Sequence, residues 1–160
     1  PRILTFCTAK AGLACTPEPS ISATGTPSAT AASGFVVSAA PARSCRSGIL
    51  VYNKFTGVME PFNGGTLCVE SMGLRRAGST NSMGTAGANC DGVFAIDVNA
   101  FAQGLWVVPD CNGMPSGIAP NNPAGFLQTI GQDVFAQFWG RDTMATGSFV
   151  SDAVGWTIGP

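Results

Sequence analysis

An all-β fold, an antiparallel β-sandwich that is jelly-roll-like with long loops and disulfides, is predicted for this chain by three observations. Short apolar runs alternate with period two, turn dipeptides punctuate them, and six cysteines occur without a single histidine. Phe94, Ile96 and Val98 fall on one side of an extended chain, as do Val154, Trp156 and Ile158, with Gly155 and Thr157 opposite. Such alternation argues for sheets with one face toward a core and the other toward water. At 160 residues the chain is one domain long, enough to bury roughly 70 % of its unfolded-chain surface.

Residues 1–6, PRILTF, read as a short β segment that stands apart from the domain proper, residues 7–160. Arg2, Ile3, Leu4, Thr5 and Phe6 are suited to add as a strand to an open sheet edge of a neighbouring subunit. CTAKAGLAC then makes a small loop. From Pro17 to Ser33 the chain is rich in Ser, Thr, Ala and Pro, with Ser20, Ser22, Thr24, Thr26, Ser28 and Thr30 at every second residue. Extended backbone puts those hydroxyls on one face. A solvated edge strand, a linker, an O-glycosylated array and an ice- or glycan-binding ladder all fit that pattern. Ordinary N-glycosylation is excluded, because no N-x-S/T sequon occurs.

Further strands are expected at Gly34–Ala39, Gly48–Asn53, Thr66–Ser71, Val93–Val98, Asp133–Trp139 and Ala153–Ile158. Asn63-Gly64-Gly65, Asp91-Gly92 and Asn112-Gly113 supply turns between them. Asn99–Gln103 is the one helical stretch, about a turn long. Residues 77–90 and 109–125 read as long irregular loops, the usual place for ligand contacts.

Composition narrows the function classes. Charged residues make up 11 % of the chain and the net charge is −1, so there is no basic field for nucleic acid or anionic lipid. No run approaches the length of apolar chain that a spanning helix needs. A chain that starts at Pro1 reads as processed or excised from a longer precursor. The cysteines at 7, 15, 45, 68, 90 and 111 contain no C-x-x-C, which favours disulfides in an oxidising compartment over a metal. Spacing alone does not choose among their connectivities. Low charge, abundant Gly and Pro, and paired cysteines together indicate a secreted protein.

The runs CTAKAGLACTPEPSISATGTPSATAASGFVVSA, SGILVYN, PFNGGTLCVE, CDGVFAIDVNAF, VFAQFWGRD and SDAVGWTIGP, in that order, resemble an uncharacterised β-sandwich domain found at the C-terminus of long secreted planctomycete-type bacterial proteins. The resemblance runs from about Cys7 to Pro160. It implies an extracellular bacterial setting and carries no established activity. Cys7, Cys15, Cys68 and Cys90 lie in the family-like motifs, whereas Cys45 and Cys111 lie outside them. Pairing within each group implies Cys7–Cys15, Cys68–Cys90 and Cys45–Cys111.

The chemistry available is limited. Without histidine there is neither a catalytic triad nor the usual general base near neutral pH, and S-x-x-K and G-x-S-x-G are absent. Asp91 and Asp133 read as turn residues, and Asp97 as a residue of a solvent face. Calcium held by Asp91, Asp110 and Asn112 matches no EF-hand-like pattern. The stretch AQFWGRD reads as a strand with Phe135, Gln137 and Trp139 on one side, turned by Gly140, with Arg141 and Asp142 holding the turn. The sharper reading makes Trp139, Arg141 and Asp142, together with Trp106, a sugar-binding platform.

The sequence therefore predicts a secreted, extracellular module at the cell surface that is non-enzymatic and uses no cofactor. Its partner is itself or a neighbouring surface protein, with self-assembly into a filament by N-terminal strand addition. The alternative is a carbohydrate-binding module. No nucleic acid and no membrane span are expected.

Overall fold

The computed structural model describes residues 2–118, 122–143 and 147–160; the stretch 119–121 of the second expected loop lies outside them. Twelve strands form, β1 Ile3–Phe6, β2 Ser20–Gly25, β3 Phe35–Ala42, β4 Ser47–Asn53, β5 Gly57–Phe62, β6 Gly65–Val69, β7 Arg75–Asn81, β8 Gly92–Asp97, β9 Val107–Pro109, β10 Pro115–Ile118, β11 Asp133–Arg141 and β12 Ser148–Thr157. One short helix, α1 Val98–Ala102, and a 3-10 turn at Gly125–Gln128 complete the chain. Among the described residues the strands make a five-stranded sheet ordered β1-β12-β11-β4-β7, a three-stranded sheet ordered β2-β3-β8, and two hairpins, β5-β6 and β9-β10. All of these ladders are antiparallel. The fold is all-β, as expected.

The two larger sheets bury their facing sides against each other. Phe35, Val37, Phe94 and Ile96 of the small sheet meet Leu50, Tyr52, Phe138, Phe149 and Trp156 of the large one. Phe35 packs edge-on against Trp156 at 5.2 Å, and Phe94 against Phe149 at 4.8 Å. Gly48 and Gly140 sit opposite each other on β4 and β11. A Cβ at Gly140 would stand 2.9 Å from Phe94 Cζ, so this glycine pair leaves the space that the Phe94 ring fills.

The opposite face of the large sheet is not wet, contrary to the simple alternation rule. The β5-β6 hairpin lies across it and encloses a second, smaller core with Val51, Leu67, Val69, Val150 and Ala153. Gln137, 1 % exposed, clamps the hairpin down. Its Nε2 donates to the carbonyls of Thr66 at 2.8 Å and Ser151 at 2.6 Å, and its Oε1 accepts from Cys68 N at 3.0 Å. A polar residue is tolerated here because its hydrogen-bonding groups are met.

Two of the disulfides implied by the resemblance are corrected. Cys7 bonds Cys68 and Cys15 bonds Cys90; Cys45–Cys111 is as expected. The cause is β1, which does not stand apart from the domain. It pairs with β12 of its own chain, Ile3 opposite Trp156 through Phe6 opposite Ala153, and so carries Cys7 to the β5-β6 hairpin. Cys15 is left to meet the loop before β8. The bridges therefore join residues 61, 75 and 66 apart, rather than closing short local loops.

Other expectations shift as well. Arg75–Asn81 is a strand that runs into the first expected loop, because β4 offers it a ladder that its polar, Gly-containing sequence does not advertise. Pro115–Ile118 likewise pairs with Val107–Pro109 inside the second. Asp97 does not face solvent freely. Its Oδ1 accepts from Ala100 N at 3.0 Å, capping α1, and its Oδ2 accepts from Gly34 N at 2.7 Å. The Ser/Thr tract forms an edge strand over Ser20–Gly25 with Ser20, Ser22 and Thr24 exposed. Thr26 and Thr30 are exposed too, whereas Ser28 is buried and its hydroxyl donates to Pro160 O at 2.6 Å. Ser28 is thereby removed from the hydroxyl array.

Candidate functional site

Where the β5-β6 hairpin stops covering the large sheet, an open groove of about 510 Å³ remains. Its floor follows from strand periodicity. Ser47 and Ile49 of β4, Ser79 of β7, and Trp139 and Arg141 of β11 all lie on this outer side, with Ser79 paired to Ile49 and Ile49 to Trp139. Thr143, Gly147 and Ser148 form the far wall. A second depression of about 310 Å³ continues from it past Ser47, Arg141 and Thr143 to Cys45 and Arg46.

Gly140 does not turn the chain, as the sequence suggested. It stays in β11, opposite Gly48 on one side and Phe149 on the other, and the strand runs on to Arg141. Trp139 is consequently a sheet residue, flanked by the Phe62 ring at 5.5 Å and with the Arg76 guanidinium 5.9 Å over its indole. That arrangement is a cation–π contact. The indole N–H is out of solvent and has no hydrogen-bond partner.

The four residues of the expected sugar platform separate. Trp139 and Arg141 line the groove together. Trp106 is half-buried against the main core and touches the site only indirectly, donating from Nε1 to the carbonyl of Ser79 at 3.4 Å. Asp142 is buried and is not a groove residue; its Oδ2 accepts from Ala14 N at 2.8 Å. Among the described residues it does not join the platform, and it ties the Cys7–Cys15 segment to the end of β11.

The Cys45–Ser47 wall, with Arg43 and Ser44 before it, is held by several hydrogen bonds. Ser44 N donates to Asn89 O at 3.0 Å, Cys45 N to Met83 O at 2.8 Å, and Arg46 N to Ser82 Oγ at 2.9 Å. Ser82 Oγ donates in turn to Arg43 O at 2.6 Å, and the Cys45–Cys111 bridge fastens the same wall to the β9-β10 hairpin. Behind it, Asp91 Oδ1 accepts from Ser44 Oγ at 2.6 Å. Hydrogen bonds from Ser44 and Thr85 hold the Asp91 carboxyl down at about 2, so it stays ionised and keeps both partners in place. Asp110 is also occupied within its own hairpin, accepting from Asn112 N at 2.8 Å and Met114 N at 2.9 Å. No group of three or more Cys, Asp or Glu positioned for a metal ion occurs among the described residues.

Sequence reasoning missed Arg46, Ser47, Ile49 and Ser79 as site residues. Each is ordinary in its own segment, and only the β4-β11 and β4-β7 ladders bring them beside Trp139. The one available hint was a cationic Arg46 sitting directly between a cysteine and a strand. No family model, curated protein or solved structure matches the chain. Three disulfides indicate that it folds in an oxidising compartment, and no described helix is long and apolar enough to cross a membrane.

Proposed function

We propose that this chain is a non-enzymatic binding module of a secreted bacterial surface protein, and that it engages glycan at the Trp139–Arg141 groove. The observation that carries the reading is the pairing of an aromatic ring and a guanidinium in an open groove with a fixed wall. Ring and fork-shaped donor together suit a sugar, which presents an apolar ring face and hydroxyl oxygens at once. A preorganised wall spares the ordering cost that a loose site would incur on binding. The lack of histidine leaves no ordinary proton shuttle for neutral-pH catalysis. On a glycan array, binding is expected with the native protein and should be lost with Trp139→Ala; an array without hits ends this reading.

A second reading, self-assembly at the cell surface, is favoured by the state of β1. It is the outer strand of the five-stranded sheet, with Ile3 and Leu4 exposed and no charged residue within the strand itself. An apolar, unblocked edge accepts another strand. Because β1 already pairs in its own chain, donation to a neighbour would be an exchange of that strand between subunits. Electron micrographs of the purified native protein that show only monomers dismiss it.

A further inference from the structure

We propose that the groove is a carboxylate site, and that its ligand is an acidic sugar, a uronate residue within a polysaccharide. The inference rests on the glycan reading above and adds the ligand's charge and functional group.

The first support is the balance of donors and acceptors. Arg46 and Arg141 contribute guanidinium groups to the linked depressions, Ser47, Thr143 and Ser148 contribute hydroxyls, and among the described residues no carboxylate lines either one. With Arg76 over the Trp139 ring, three of the chain's eight cationic residues gather at one end of one sheet face. The whole chain carries a net charge of −1, so this concentration is a local feature and not a reflection of composition. Asp142, next to Arg141 in the chain, is committed by Oδ2 to Ala14 N.

The second support is where hydrogen bonding fails. Among the described residues, the buried side-chain polar atoms without partners are Arg43 Nε, Arg46 Nε, Trp139 Nε1 and Asp142 Oδ1. Two of these are donors on residues that line the depressions, Arg46 and Trp139, and Arg43 stands three residues before Arg46 in the chain. Native proteins leave few such groups unmet. Buried N–H groups with no acceptor add positive potential behind the groove surface, which an anionic ligand group answers and a neutral sugar does not. A planar carboxylate further matches the guanidinium fork in two parallel hydrogen bonds.

The third support is the Arg76–Trp139 contact itself. A neutral sugar stacking on the indole competes with the guanidinium already over the ring. An anion approaching the same place is attracted by it. The site is better matched to a charged sugar than to a neutral one.

The test measures binding of the native disulfide-bonded chain to three polymers: a polyuronate, the same polymer with its carboxyls methyl-esterified, and a sulfated dextran. Esterification is expected to weaken binding by about tenfold or more, the scale of a charge-assisted hydrogen-bond pair. Arg141→Gln should produce a similar loss for the polyuronate, and Arg141→Lys, which keeps the charge without the fork, an intermediate one. Arg2→Gln, at the opposite end of the large sheet near Thr157, should change nothing. Equal binding of the esterified polymer, abolished by Arg141→Gln, overturns the acidic inference and leaves the glycan groove standing. Sulfated dextran bound as tightly as polyuronate overturns the carboxylate assignment, as does an equal loss with Arg2→Gln. No binding to any polymer overturns both readings. Because Arg141 is exposed at a strand end, its variants are expected to fold; Arg46→Gln provides an independent second variant at the same wall.

Discussion

The two faces of the five-stranded sheet are closed by different physics, although the same strands supply both. Along β11, Val134, Ala136 and Phe138 enter a dry core made with the small sheet, while Phe135, Gln137, Trp139 and Arg141 look the other way. The inner face is sealed by interlocking aromatic and aliphatic side chains. The outer face is sealed only in part, through the Gln137 hydrogen bonds and the Cys7–Cys68 bridge that hold one hairpin against it. Area burial is indifferent to direction, so the inner face can be complete. Polar and covalent ties act at points, so the outer face leaves Trp139 and Arg141 at the margin. The binding groove is the uncovered remainder of a sheet face.

The largest effect is expected where burial alone is responsible. Phe94→Ala empties the space prepared by Gly48 and Gly140 and should cost about 3–5 kcal/mol. Denaturant unfolding with the disulfides intact measures it. A loss below about 1 kcal/mol would mean that the sheets re-close over the gap, and that the inner face is less tightly specified than the glycine pair implies.

A smaller and more local effect is expected on the other face. Gln137→Leu leaves Cys68 N and the carbonyls of Thr66 and Ser151 without their partner, at about 1 kcal/mol for each group and roughly 3 kcal/mol in total. Amide exchange should quicken through Gly65–Val69 and stay unchanged in Phe35–Ala42 and Gly92–Asp97. Uniform quickening in all three segments would merge the two faces into one cooperative unit and remove the contrast.

What the sequence disclosed follows the same division. Residues whose partners are apolar advertised themselves by alternation: beyond the N-terminal segment six strands were foreseen, and each lies within two residues or so of an observed one, apart from a few ends such as Ala42 and Ser148. The helix was foreseen too, although its cap Asp97 was read as a solvent-facing residue. Residues whose role is set by distant points of contact stayed silent. Gln137 looks like a wet-face residue until Thr66 and Cys68 are laid over it, seventy positions or so away in the chain. Cys7 and Cys15 look like a local loop until β1 is added to β12. Half of the sugar platform was legible, Trp139 and Arg141, because both sit two residues apart on one strand. The other wall, Arg46 to Ile49, depends on the pairing of β4 with β11, which no local pattern announces.

The smallest predicted effect probes the seam between the sheets. Asp152 of β12 reaches across to β2, where its Oδ1 accepts from Ile21 N at 2.6 Å. Burial pushes its carboxyl above the usual value, and the Ile21 hydrogen bond only partly opposes that. A raised carboxyl favours the folded state in its protonated form. Its contribution is present below the unfolded-chain value of 3.8 and is lost as pH rises through the folded value. Asp91 behaves oppositely, contributing above 3.8 and losing its contribution as pH falls toward about 2. Asp152→Asn keeps an oxygen for Ile21 N while removing the buried charge. The variant should therefore melt slightly above the native chain at neutral pH, and the difference should close below about pH 4. If the variant is instead less stable at neutral pH, the ionic hydrogen bond to Ile21 outweighs desolvation. The seam would then be held by charge at a point, as the outer face is, rather than by burial, as the inner one is.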